Sequence, residues 1–171
     1  ALNSDQVAAL STAQVAALLT AQVAGLNSDD LNALSTTQFA ALTTAQVGNL
    51  TSAQVSTLET ADLKAMSTGQ FAALNSNQIG ALTSDQIPNI ETTDLRAIST
   101  LALRALNSDQ FGALTSDQVA ALTTGQVAAL TTSQLSSLPT ADLNALNTAQ
   151  FAVLSSTQVA NLTSDQIGAL E

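Results

Sequence analysis

The 171-residue chain contains no cysteine, histidine, tryptophan or tyrosine, and only three basic residues. Without Cys and His there are no disulfides, no zinc-finger ligand sets and no imidazole chemistry. A cysteine-free composition fits an exported bacterial protein. With Lys64, Arg96 and Arg104 as the sole cations and a net charge of −10, the chain lacks the means to neutralise nucleic-acid phosphates. The same shortage disfavours anionic membrane surfaces. No apolar run approaches the roughly 18 residues needed to span a bilayer; the longest is Val15 to Leu19. No basic, then apolar, leader segment follows Ala1. Charged residues make up 9% of the chain, so its polar surface must come from Ser, Thr, Asn and Gln. Aromatics are limited to four Phe, and turn formers to seven Gly and two Pro.

What is present is periodicity. A large aliphatic recurs every eight residues from Leu2 to Leu170, and a second apolar series follows it by five, from Val7 through Phe39, Phe71, Phe111 and Phe151 to Ile167. The unit is roughly L-[TSN]-[ST]-x-Q-[VILF]-A-A, with the first aliphatic counted as position two. A tandem repeat of this kind governs the reading of the whole chain. Position three is Asn, Ser or Thr in 17 of 22 cases, the exceptions being Leu19, Glu59, Glu91, Pro139 and Glu171. Position four is Ser or Thr in all 21 cases, and position six is Gln in 16 of 21, replaced by Asp30, Asp62, Asp94, Ala102 and Asp142.

A Ser, Thr or Asn followed three residues later by Gln is a capping box, and the flanking aliphatics form the matching hydrophobic staple. Asn occurs at position three (Asn3, Asn27, Asn75, Asn107, Asn147) and never at position four, so position three is the cap. Each cap contributes roughly 1 kcal/mol relative to Ala. Asp at position five, as in Asp5 and Asp117, sits at the positive end of the helix dipole. The hydroxyl at position four is read either as a bond to a neighbouring octad's backbone or as a small polar residue at the first helical position.

One continuous helix is a poor alternative. Eight residues rotate by about 800°, so its apolar stripe would drift about 80° per octad. A β-solenoid needs alternation and β-branched residues that Ala-Ala-Leu does not supply. The expected fold is therefore all-α: a solenoid of about 21 helices of five to seven residues, one per octad, running as a single array over 1–171. Such short helices are not stable alone, so both apolar series should share one core.

A slower pattern overlies the octad. Each Phe follows an octad with Leu at position seven (Leu31–Phe39, Leu63–Phe71, Leu103–Phe111, Leu143–Phe151), and every Asp at position six precedes such a Leu. Position eight of these Leu octads is polar or charged: Asn32, Lys64, Arg96, Arg104, Ser136 and Asn144. They read as a distinct type with a more exposed face; the rhythm marks either a superhelical turn or a duplication history. Pro139 replaces a cap residue, which a helix start tolerates. Pro88 falls past the first turn, where it removes a helical bond, and its helix should be shortened or kinked.

Catalytic arrangements are missing: there is no nucleophile–base pair, no phosphate-binding glycine loop and no familiar calcium loop. Asp29–Asp30 is the only adjacent acid pair, and both residues fit their octad positions. No enzyme, cofactor or metal site is expected. The off-consensus stretch Glu91 to Arg104, with Glu91, Arg96, Leu101 and Arg104, is the candidate partner surface.

The phrases LTSDQVAALTTGQVAALTT (114–132) and LTSDQIGAL (162–170) resemble octapeptide arrays in very large bacterial surface or secreted proteins with adhesin-like, haem-utilisation or RTX-like labels. The resemblance covers essentially the whole chain. It implies an extracellular or cell-surface location and a spacer or adhesive role, and carries over no functional residue. Haem ligation gains nothing from this chain, where Met66 is the sole conventional axial candidate. The expectation is a structural module, a stalk or scaffold excised from a longer exported protein. Its partners would be neighbouring repeats, with no nucleic acid and no membrane insertion. The alternatives are a solenoid face that binds a protein or glycan and, more weakly, ice binding through Ser/Thr rows.

Overall fold

The computed structural model describes residues 2–170. Twenty α-helices of four to six residues and one 3₁₀ turn follow one another, one per octad, and no strand occurs among the described residues. Seventeen of the twenty helices have five or six residues, within the expected five to seven, and three have four. The six-residue helices stop where the position-two aliphatic turns extended, as at Leu18 (φ −60°, ψ 144°) and Leu138 (φ −67°, ψ 133°).

The corner between helices is made by two ordinary residues. Position three is also extended, as at Ser11 (φ −73°, ψ 159°), and is the N-cap of the α-helices. Among the described residues there is no cis peptide and no positive φ. A corner confined to the allowed regions of L-residues needs neither Gly nor Pro, which explains how so few of either suffice.

Each helix packs on the helix three octads away: Ser4–Ala8 on Ser28–Asn32, Thr36–Ala40 on Thr60–Ala65, and Ser108–Gly112 on Thr132–Ser137. Hydrogen bonds reach four octads back, from Gln126 to Leu95 for example. One turn of the superhelix therefore takes between three and four octads. Three glycines at position eight mark close approaches between turns: a Cβ on Gly48, Gly80 or Gly112 would lie 3.1 Å from the carbonyl oxygen of Ala73, Ala105 or Ser137.

Both apolar series form a single core. Position seven is buried in every octad from Val7 to Leu143, and position two from Leu26 to Leu146. Fully burying one such side chain stabilises by about 1.5–3 kcal/mol, and stacking supplies what a five-residue helix cannot. The two series differ in direction. Val7, Val15 and Val23 are fully buried in the first turn, whereas Val159 and Ile167 in the last are 43% and 48% exposed. Position seven is thus covered by the turn that follows it.

Pro88 acts as its position dictates. Its octad has a turn and a 3₁₀ segment, Ile87–Asn89, in place of an α-helix, because proline cannot donate the bond that closes an α-helical turn. Pro139 caps the helix Thr140–Asn144 with no side-chain bond.

Candidate functional site

The most repeated polar arrangement in the molecule centres on position six. In the octad of Gln126, Oε1 accepts from the Thr123 backbone N–H at 2.9 Å, while the Gln126 N–H donates to Thr123 Oγ1 at 3.1 Å. This is a capping box. The amide nitrogen does more: Nε2 donates to the carbonyls of Leu95 (2.8 Å) and Ile98 (2.9 Å), one turn of the solenoid earlier. A primary amide has two N–H donors and one carbonyl acceptor, and all are used. Gln46, Gln54, Gln78, Gln86, Gln118, Gln134, Gln158 and Gln166 repeat the same wiring to carbonyls 31 and 28 residues back. These amides are buried, so each junction is shielded from water, where an unmade bond would cost most.

The four Phe octads shift this register. Gln70, Gln110 and Gln150 bridge to carbonyls 30 and 28 residues back: Ala40 and Leu42, Gly80 and Leu82, Ala120 and Leu122. Gln38 bonds Ala8 at 3.0 Å and touches Val7 only at 3.5 Å. The phenylalanine pattern thus coincides with a one-residue displacement of the bridge.

Where position six is Asp, the polarity reverses, since a carboxylate only accepts. Asp30 and Asp94 each take a hydroxyl hydrogen bond from 26 residues back, Ser4 and Thr68, at 2.7 Å; Ser116 donates likewise to Asp142. These are position-four hydroxyls. Ser52 donates to the Asn77 carbonyl. In the other octads position four makes no cross-turn bond among the described residues, so the expected neighbouring-backbone bond holds only for Ser52. Elsewhere the hydroxyl is a small polar group at the first helical position.

Losing Gln also removes the bond to the cap N–H. Glu59, Glu91 and Pro139 cap the three octads of Asp62, Asp94 and Asp142, and none makes a side-chain cap bond. Proline, which has no N–H, forfeits nothing there. The distinct character of the Leu octads lies in this wiring. Their Leu is buried like any other position-seven residue, and at position eight Asn32 and Asn144 donate to the carbonyls of Thr57 and Ala169, 25 residues on.

Asp62 stands apart. It is 3% exposed, yet no hydroxyl reaches it among the described residues. Burial, helped by the charge of Glu59, pushes its carboxyl up to about 6. Burial also raises Asp94; the Thr68 hydroxyl opposes this and Glu91 adds to it. Asn32 Oδ1 is the single buried side-chain polar atom without a partner among the described residues.

The candidate partner surface is divided. Leu101 is 70% exposed and lines, with Arg104, Ser76, Ala105 and Thr131, a shallow depression of about 340 Å³. Glu91 and Arg96 are exposed on the preceding octad but do not line it. Ala102, beside Leu101, occupies the buried position six and is 1% exposed. Among the described residues no group of three or more acidic side chains could hold a metal ion. No helix of the described residues is long and apolar enough to cross a membrane.

Five segments of the chain, 1–28, 23–60, 55–89, 87–124 and 135–171, match the family described as the ALTTAQ repeat. The chain belongs to the ALTTAQ repeat family. Three of the matches begin at residues 23, 55 and 87, four octads apart, the span that the Gln bridges cross. No curated protein matches the chain. In the ALTTAQ repeat, the Gln that gives the unit its last letter is the residue that ties one turn to the previous one. Sequence reasoning assigned it the cap alone. The missed signal is that position six is Gln in 16 octads and Glu in none, although a capping box accepts either. Only the amide can also donate.

Proposed function

We propose that this ALTTAQ array is a non-catalytic structural module, a stalk or scaffold of an exported bacterial protein. The observation that carries the reading is the Gln junction, repeated in thirteen octads, which fastens turn to turn along the solenoid. A repeat whose units contact only their neighbours can be lengthened without redesign, which suits a spacer. The exported half rests on the resemblance to surface and secreted repeat proteins. Two experiments test it. Excising residues 93–124, four octads in register, should give a rod that is shorter by X-ray scattering and still melts cooperatively; collapse would contradict the modular spacer. Protease treatment of intact cells making the parent protein should cleave the repeat; full protection would contradict surface exposure.

A second reading has one observation in its favour. Leu101 is a large aliphatic that projects into solvent beside Arg104, and it could anchor a protein or glycan. Leu101→Ser combined with Arg104→Ser should then abolish capture on a glycan or protein array, while binding unchanged by the pair would remove the idea.

A further inference from the structure

Two departures from the octad fall on adjacent residues of one helix, Thr100–Leu103. Position five is Asp, Asn, Ser, Thr, Ala or Gly in the other 20 octads and is occupied here by Leu101. Position six is Gln or Asp in the other 20 and is occupied here by Ala102. The first departure adds a large aliphatic that is 70% exposed; the second removes a polar group from a site that is 1% exposed. Both lie well inside the array. Thr100–Leu103 packs on Ser76–Ile79 in the turn before and on Thr124–Ala129 in the turn after, so the surroundings of this helix are complete within the chain.

What Ala102 removes is visible in its equivalents. The carboxylates of Asp30, Asp94 and Asp142 each accept a hydrogen bond from the position-four hydroxyl 26 residues earlier, at Ser4, Thr68 and Ser116. Counting back 26 residues from Ala102 gives Ser76. The Ser76 hydroxyl makes no cross-turn bond among the described residues, and Ser76 lines the depression of about 340 Å³ with Leu101, Arg104, Ala105 and Thr131. The methyl of Ala102 denies this hydroxyl the acceptor that its equivalents have. Arg104, exposed on the same rim, takes part in no side-chain hydrogen bond among the described residues. A guanidinium and a hydroxyl are donors suited to a carboxylate, and Leu101 stands beside them as an apolar contact. All three cations of the chain lie between residues 64 and 104, against 13 acidic residues in the whole sequence, so an anionic partner is drawn to this stretch and repelled elsewhere.

We propose that this depression receives an acidic side chain from a segment of a protein partner. The partner's carboxylate takes the place that Asp30, Asp94 and Asp142 hold for their own hydroxyls. It accepts from Ser76 Oγ and from the Arg104 guanidinium, while an aliphatic neighbour of the acid packs on Leu101. Charge-assisted hydrogen bonds beside an apolar anchor supply both orientation and affinity. The proposal rests on the Leu101 face being an anchor, and it specifies the partner: one carboxylate flanked by an aliphatic side chain, a chemistry that a neutral glycan does not offer.

Nuclear magnetic resonance of the isotope-labelled 171-residue chain, titrated with a short acetylated and amidated peptide carrying Asp between two leucines, tests it. The signals of Leu101, Ser76 and Arg104 should shift together and saturate. The same peptide with Asn in place of Asp should bind about tenfold more weakly. Ala102→Asp supplies the carboxylate from within the chain. It should keep the circular-dichroism spectrum and weaken binding of the Asp peptide about tenfold. Ser76→Ala and Arg104→Gln, which leave the apolar core untouched, should each weaken it severalfold. Equal binding of the two peptides, or wild-type binding in both Ser76→Ala and Arg104→Gln, would overturn the carboxylate site while leaving Leu101 as an anchor. No shift at Leu101 with either peptide would overturn both.

Discussion

Two stretches of the solenoid share a backbone and differ in wiring. From Leu114 to Leu138 every position six is Gln, and Gln118, Gln126 and Gln134 each bridge to the previous turn. From Glu59 to Leu106 only Gln70, Gln78 and Gln86 bridge in this way; the other three positions hold Asp62, Asp94 and Ala102, and Pro88 replaces an α-helical turn with a 3₁₀ one. Both stretches bury their aliphatic series equally. Apolar stacking therefore sets the path of the chain, and the amide bridges determine how firmly consecutive turns are fastened. In a linear repeat, where stability is close to a sum of neighbour terms, the second stretch should open first.

The largest effect is expected in the shared core. Leu82 is 1% exposed. Leu82→Asp buries an unpaired charge and should cost more than about 5 kcal/mol, unravelling several octads; an intact thermal melt by circular dichroism would contradict a common core. Gln126→Glu comes next. It preserves the cap acceptor but sets a buried carboxylate against the carbonyls of Leu95 and Ile98. A loss of about 3 kcal/mol in urea unfolding is expected, against about 1–3 kcal/mol for Gln126→Ala. No loss in either variant would mean the amide donors are unimportant.

Smaller effects sharpen the contrast from the other side. Asp62→Gln supplies the missing donor opposite Leu31 and Leu34, and should stabilise by about 1 kcal/mol; destabilisation would show that the seam cannot accept the bridge. Asp62 also gives the weaker stretch a pH dependence. Burial raises its carboxyl from 3.8 to about 6, so the folded chain holds the proton more tightly than the unfolded one. This contribution is fully present below about pH 3.8 and is lost as pH rises through about 6. Solvent screening reduces it to on the order of 1 kcal/mol. Melting temperature should therefore fall between about pH 4 and pH 6, and Asp62→Asn should flatten much of that slope. A profile identical in the variant would contradict the assignment.

Much of this was legible in the residues. Position three as the cap, the break at every octad, the burial of both aliphatic series and the failure of the α-helix at Pro88 follow from local propensity and periodicity. What escaped is whatever depends on the turn length of the superhelix. An eight-residue period says nothing about which octads meet, so the partners of Gln126 and Asp94 had to be seen in space. The polar substitutions at position eight suggested an exposed face, but Asn32 and Asn144 use their amides to bond another turn. The candidate surface Glu91 to Arg104 was chosen for its departures from consensus. Those departures divide physically: Ala102 is buried at position six, Leu101 projects outward, and Glu91 caps its octad without a side-chain cap bond.

The fastening of turn to turn by glutamine is tested most directly by side-chain amide exchange. Hydrogen–deuterium exchange of the Gln Nε2 protons, followed by nuclear magnetic resonance, separates two classes within one molecule. Thirteen amides bridge to an earlier turn, at Gln38, Gln46, Gln54, Gln70, Gln78, Gln86, Gln110, Gln118, Gln126, Gln134, Gln150, Gln158 and Gln166. These should be strongly protected, while the exposed Gln6, Gln14 and Gln22 exchange freely. Uniformly fast exchange across all sixteen position-six glutamines would contradict the account.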